Sequence, residues 1–314
     1  MKTNLFILFL FISVLGRSQS FQFTNYSLKD GLPQSQVYSI HEDNNGYIWM
    51  GTRGGGVARF DGQEFETFTT KDSLAGNYIN AITSGGNMVW VATNSGVSFY
   101  KNKKWSSVLK GKVVQDIELI NGTLWLIAEG ELFTTNKTLD KLYKYLSIKG
   151  SLKKLEKGFK NQVWVCSQTK VYHIMPDSVA SYRLDKSIEC IEYQHPNELW
   201  VATHGQGLYQ LNGQEWIEFG HLMEIEDEII YNVFKDGSVL WINTLTKGVF
   251  QFNTSDSSFV NFREVNGLSN NHTRVTQKDS WGNIWIGTGG GGVSKYSGQT
   301  FEKWSKTNGL RGNY

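Results

Sequence analysis

Seven segments of this chain carry one pattern: a tryptophan opening a short apolar strand, then a turn, then a second strand. They begin at Trp49 (WMGTRGGGVARF), Trp90 (WVATNSGVSFY), Trp125 (WLIAEGELFTT), Trp164 (WVCSQTKVYHI), Trp200 (WVATHGQGLYQL), Trp241 (WINTLTKGVFQF) and Trp285 (WIGTGGGGVSKY). Successive tryptophans stand 41, 35, 39, 36, 41 and 44 residues apart. That interval fits four short strands, the unit of a propeller blade. A lone four-stranded sheet cannot bury both faces. Stacked sheets bury them against each other, and a large aromatic at a fixed place fills the gap between neighbours. The seven tryptophans are therefore read as structural, and the fold as all-β, a β-propeller of about seven four-stranded blades.

The first unit shows how the strands divide. Residues 36–42 (QVYSIHE) alternate and form an inner strand, 47–52 (YIWMGT) the second, 57–60 the third and 64–69 (EFETFT) the outer one. Between them lie Asp43-Asn44-Asn45-Gly46, Arg53-Gly54-Gly55-Gly56 and Asp61-Gly62-Gln63, turn sequences in which glycine supplies positive φ. No segment sustains a 3.6-residue period over helix length. Residues 21–28 (FQFTNYSL) resemble an outer strand such as 300–305 (TFEKWS), yet precede the first unit. Residues 308–314 (NGLRGNY) repeat the connector seen at Asn266-Gly267-Leu268 and Asp30-Gly31-Leu32. A connector with nothing to connect implies a further repeat in a longer protein. The other reading is a complete seven-blade ring, closed by the N-terminal strand and followed by a short tail.

Residues 1–20 read as a secretory signal peptide, with Lys2, an apolar run from Leu5 to Leu15 and small residues before position 21. The run is too short to span a bilayer. The expected domain is then 21–307, exported to the periplasm or the extracellular space, with no membrane span in this chain. Without Lys2 and Arg17 the remaining chain has 29 basic against 29 acidic residues, which argues against nucleic acid as a partner. Export would allow Cys166 and Cys190 to pair, but both fall in expected strands and equally suit small buried residues.

Little in the sequence points to chemistry. Residues 287–292 (GTGGGG) fit G-x-G-x-x-G, but a strand follows where a dinucleotide site needs a helix. Asp43-Asn44-Asn45-Gly46 and Asp279-Ser280-Trp281-Gly282 lack the distant glutamate of a helix-loop-helix calcium site. They resemble the Asp-box turn of sialidases, in which the aspartate is structural. The histidines, His41, His173, His195, His204, His221 and His272, show no zinc-hydrolase spacing, and no nucleophile elbow occurs. No metal, no cofactor and no catalytic residue is assigned, while a pair of glycosidase carboxylates cannot be located from sequence.

Strand direction alternates, so the connectors between units and the turns after Trp-x-x-Thr share one rim. Loops of this kind carry function. Candidate ligand-binding residues there are Gln34, Gln36, Arg53, Tyr78, Asn80, Asn94, His204, Asn271, His272 and Arg274. Amides and aromatics suit hydroxyl groups, and arginine can hold a carboxylate or sulfate bidentately. The mixture fits an oligosaccharide or another small molecule.

The motifs resemble a known family. Gly31-Leu32-Pro33, Val37 through Asp43, Gly46 through Thr52 and Gly55 through Gly62 are similar to the two-component regulator propeller repeat, as are Gly267-Leu268, Thr276 through Asp279, Gly282 through Thr288 and Gly291-Gly292-Val293. The first, fifth and seventh units match well; those at Trp125 and Trp164 keep little beyond spacing. The resemblance implies the periplasmic sensor of a membrane-spanning signalling protein, often a hybrid histidine kinase of a polysaccharide-degrading bacterium. There two propellers usually precede an immunoglobulin-like domain, a transmembrane helix and an output module. It implies a ligand-sensing, non-enzymatic role here, with a homodimer at the level of the full-length protein. The alternatives are a secreted protein–protein interaction scaffold and a propeller carbohydrate-active enzyme.

Overall fold

The structure, a computed structural model, describes residues 22–135, 141–145, 148, 150–194 and 198–298. The strands form seven antiparallel four-stranded sheets. The innermost strands are Val37–Glu42, Ile79–Gly85, Val114–Ile120, Leu152–Lys157, Ile188–Gln194, Ile230–Asp236 and Thr273–Lys278. Each contacts the next, and the last contacts the first, so the blades close into a propeller around a central channel. The first blade is built as its sequence indicates, from Val37–Glu42, Ile48–Thr52, Val57–Phe60 and Phe65–Phe68.

The ring is closed by the N-terminal strand. Phe23–Tyr26 pairs antiparallel with Val293–Tyr296 and takes the outer place of the seventh blade. Tyr26 then stacks on Trp285 of that blade and reaches Phe60 of the first, with ring centroids 5.7 and 5.0 Å away. The closing role open to the N-terminal strand is seen in this pairing. The signal peptide, the strand expected at 300–305 and the connector at 308–314 lie outside the described residues.

One apolar cluster sits at each of the seven blade interfaces. Trp49 packs with Ile79 and Val91 of the second blade, Trp200 with Val233 and Ile242 of the sixth, and Trp285 with Ile40 and Ala58 of the first. Trp90, Trp164 and Trp241 make the corresponding contacts at their own interfaces. Burying about 200 Å² of each indole contributes roughly 5 kcal/mol as an upper value. Trp125 is the exception; it is only partly buried and lies against Tyr145 at 5.8 Å. Cys166 and Cys190 are buried and unpaired within these layers, and burial raises both thiol pKa values.

The turns explain the other repeat residues. In Trp-x-x-Thr the threonine is buried and its Oγ1 donates to a carbonyl across the next turn, Thr52 to Gly56 at 2.7 Å and Thr288 to Gly292 at 2.9 Å. Gly292 has φ of +82°, and a Cβ there would stand 2.1 Å from the Tyr26 carbonyl oxygen, so the closing strand can dock only on glycine. The third blade lacks both residues, and there Ala128 pairs with Glu131 across a two-residue turn. Both turn residues have positive φ, at Glu129 and Gly130, whereas the two-residue turn of the second blade keeps its threonine, Thr93 Oγ1 donating to the Gly96 carbonyl at 2.9 Å.

Candidate functional site

The innermost strand of every blade carries a break in register at the same place. It skips Tyr38, Asn80, Gln115, Lys153, Glu189, Tyr231 and Arg274 in turn. A β-bulge leaves one residue out of the ladder and re-aims its side chain. All seven lie one residue into their strands, at the end that receives the connectors, and so form a ring at the channel mouth. Tyr38, Asn80, Gln115, Tyr231 and Arg274 line a cavity of about 330 Å³ that continues down the channel past Asp116, Glu118, Lys154 and Glu156.

Neighbours in this ring touch. The Arg274 guanidinium lies 3.6 Å from the centroid of Tyr231 and 4.5 Å from that of Tyr38. Arg53 donates from Nη1 to the Tyr38 hydroxyl at 2.9 Å. Asn80 donates from Nδ2 to the Val114 carbonyl at 2.7 Å, and Lys153 from Nζ to the Ile188 carbonyl at 2.8 Å. Within the fifth blade, His204 Nδ1 stands 2.7 Å from Glu189 Oε1. His272 stacks on Tyr231 with centroids 5.5 Å apart. A Cβ on Gly289 would come within 2.6 Å of its ring, so glycine permits this packing. Burial, and then the charge of Arg274, lower the His272 imidazole pKa.

The sequence-derived candidates therefore divide. Arg53, Asn80, His204, His272 and Arg274 place side chains among the mouth residues, and exposed Tyr78 lies over Gly54 beside Arg53. Gln36 contributes backbone, bridging to Gly289 and accepting from Arg53 N at 3.1 Å. Gln34, Asn94 and Asn271 brace their own loops. Gln34 Oε1 accepts from Ser35 N at 2.6 Å, Asn94 Oδ1 from Ser95 Oγ at 3.4 Å and Asn271 Oδ1 from Glu264 N at 2.9 Å. Gln34 and Asn271 thus serve nearby backbone and Asn94 the neighbouring hydroxyl, local bonds that occupy these three within their own loops. Tyr38, Gln115, Lys153, Glu189 and Tyr231 belong to the mouth as well, and the assignment of loops to one rim does not reach them, because they stand inside strands.

Deeper in the channel the third, fourth and fifth blades bring acids together. Asp116 accepts from Leu155 N at 2.8 Å and lies 3.6 Å from Lys154 Nζ; its pKa is raised by burial, against the pull of Lys154. The Lys154 ammonium is held charged chiefly by Asp116. Burial, with Asp116 adding to it, pushes Glu118 up to about 7. Glu156 and Glu192 are raised by burial, and for Glu156 the Glu192 charge adds to the effect. Protonated acids of this kind donate hydrogen bonds or protons near neutral pH.

The Asp turns prove structural. Asp43 accepts from Asn45 N at 2.8 Å and Tyr47 N at 3.2 Å through Oδ1, and from the buried Trp49 indole at 2.8 Å through Oδ2. Asp279 does the same for Trp281 N, Asn283 N and the Trp285 indole. The glycine-rich stretch at 287–292 runs into the strand Val293–Tyr296, so it opens no helix for a dinucleotide.

Comparison with known proteins agrees with this architecture. Residues 31–54 match the two component regulator propeller family. Histidine kinase P4 of Formosa agariphila is 40% identical over 60 residues, which is 19% of this chain and 4% of that protein. Among solved structures, the extracellular domain assigned to the hybrid two component system BT3049 of B. thetaiotaomicron superposes with a TM-score of 0.76 at 22% identity, over 91% of this chain and 43% of that one. Virginiamycin B lyase of Staphylococcus aureus, solved with quinupristin, gives 0.72 at 13% identity, over 88% of this chain and 98% of the lyase. The chain thus spans under half the length of the two signalling proteins it matches. At these identities the structural likeness establishes the propeller fold.

Proposed function

We propose that this propeller is the extracytoplasmic, ligand-sensing part of a two-component-type signalling protein, and that it takes a glycan or other small molecule at the channel mouth without transforming it. The observation that carries this reading is the bulged ring, which turns seven side chains of six kinds out of the blade ladders at one end of the channel. The regulator-propeller match at 31–54 and the likeness to a two component extracellular domain support the signalling context. Output would lie in other domains of the full-length protein, where a homodimer is also expected.

A second reading has one observation in its favour. The raised carboxyls Glu118, Glu156 and Glu192 are the kind of group a glycan-cleaving enzyme uses as a general acid. One experiment separates the two. The purified propeller is titrated calorimetrically with a panel of oligosaccharides, and each mixture is then analysed for new chain ends. Saturable binding with unchanged saccharide supports sensing. Product formation that Glu118→Gln abolishes would replace it with catalysis. Binding of no saccharide, alongside capture of a protein partner on this rim, would leave the scaffold.

A further inference from the structure

We propose that the corner of the mouth formed by Arg274, Tyr38 and Arg53 is an oxyanion site, which holds a carboxylate or sulfate ester of the ligand. This rests on the reading of the mouth as the sensing site.

Arg274 stands at the centre of this corner. Its guanidinium is clasped between the faces of Tyr231 and Tyr38, and its Nε is inaccessible to water without a hydrogen-bond partner. A buried N–H without an acceptor is costly, and a guanidinium that carries one favours a nearby counter-charge or acceptor. Two other arginines have a counter-charge: Arg59 pairs with Glu66, and Arg183 with Asp185 at 2.6 Å. Neither Arg274 nor Arg53 has a carboxylate within ion-pair distance among the described residues. Stacking occupies the faces of a guanidinium and leaves the in-plane N–H fork, the part that grips an oxyanion. Arg53 brings a second guanidinium to the same tyrosine, and its bond to the Tyr38 hydroxyl fixes its direction. The rest of the cavity does not cancel this charge. Lys154 already neutralises Asp116, and burial favours the uncharged acids of Glu118 and Glu156. Glu189, the carboxylate of the ring, faces Lys153 at 4.0 Å and His204 at 2.7 Å in the fourth and fifth blades, so the uncompensated charge at the mouth is positive and is concentrated between the seventh and first blades.

Simple oxyanions serve as probes of the site. Arginine Nε–H resonances of the propeller are followed by NMR during titration with glucuronate, inorganic sulfate, glucose and sodium chloride at matched ionic strength. Glucuronate or sulfate should shift the Arg274 signal saturably, while glucose and chloride should not. Arg274→Gln and the exposed, minimally packed Arg53→Gln should each weaken the oxyanion by about tenfold, and Arg59→Gln should leave it unchanged. Stronger binding of glucuronate identifies a carboxylate, and stronger binding of sulfate a sulfate ester. No saturable shift, an equal shift with chloride, or binding indifferent to both substitutions overturns the proposal. A neutral oligosaccharide that occupies the mouth without these arginines would overturn it while leaving the sensing role intact.

Discussion

Replacing Asp43 with alanine should be among the most damaging changes available at a turn. The carboxylate serves three donors, and they are not equivalent. Asn45 N and Tyr47 N belong to a turn at the surface, where water replaces the lost acceptor. Trp49 is fully buried, with 0% exposure, and its indole N–H has no substitute. Leaving that donor unsatisfied costs about 1–3 kcal/mol, and loss of two charge-assisted turn bonds adds roughly 1 kcal/mol after solvation. The expected loss is about 3 kcal/mol, or about 6 °C in Tm for a domain of this size. The protein should still fold, since Trp164 and Trp200 stack with Nε1 atoms that have no partner. Asp43→Asn should recover the turn but little of the indole bond, because the second oxygen becomes an NH2. Urea unfolding of Asp43→Ala, Trp49→Phe and the double variant measures the pair directly, with an expected coupling of about 2 kcal/mol. If Asp43→Ala falls within about 0.5 kcal/mol of wild type, or if the coupling is near zero, the side chain does not hold the tryptophan in solution.

Two further outcomes follow from closure and from the channel acids. Tyr26→Ala removes the ring that joins the seventh blade to the first and should cost about 2–4 kcal/mol in urea. A chain starting after Tyr26 should expose the Val293–Tyr296 edge to proteases, and an unchanged midpoint for that chain would show that the ring closes in another way. Glu118 is raised to about 7 from an ordinary 4.5, so its stabilising effect is complete below the ordinary value and is lost as pH rises through 7. Between about pH 6.5 and 8.5 this single group should remove roughly 1 kcal/mol, and Glu118→Gln should lessen the slope by that share, leaving the part that Glu156 and Glu192 add with the same sign. His41 has the opposite sign. Burial lowers it to about 4, so its effect is present above 6.5 and is lost toward acid, outside that window. A Tm that stays level or rises over the alkaline window would contradict the burial of Glu118.

What the sequence shows of this fold, and what it hides, divides along the bulge. The blade count is legible because a tryptophan holds one place in all seven blades, buried in six of them, and a positive-φ glycine holds the following turn in five, at Gly56, Gly96, Gly207, Gly248 and Gly292. The mouth is not legible in that way. Tyr38, Asn80, Gln115, Lys153, Glu189, Tyr231 and Arg274 share a backbone position but no one chemistry, ranging over phenols, amides and both charges, and a period-2 reading sets each of them on a packing face. Tyr38 shows why that fails: its neighbours Val37 and Ser39 stay buried at 0% and 8% exposure, while the bulge takes Tyr38 out of the alternation. A positional signal exists all the same, since each of the seven stands ten or eleven residues before its blade tryptophan. The shorter interval occurs where the intervening turn has two residues, as at Gly86-Asn87 and Asn121-Gly122. The bulge also separates two demands on one strand. Packing fixes the residues on either side, and the bulged residue is free of the stack, so the seven positions can differ at little cost to stability. The chemistry of that ring is then set by what enters the channel, which is why the stacked, unpaired guanidinium of Arg274 is informative about a ligand and a buried tryptophan is not.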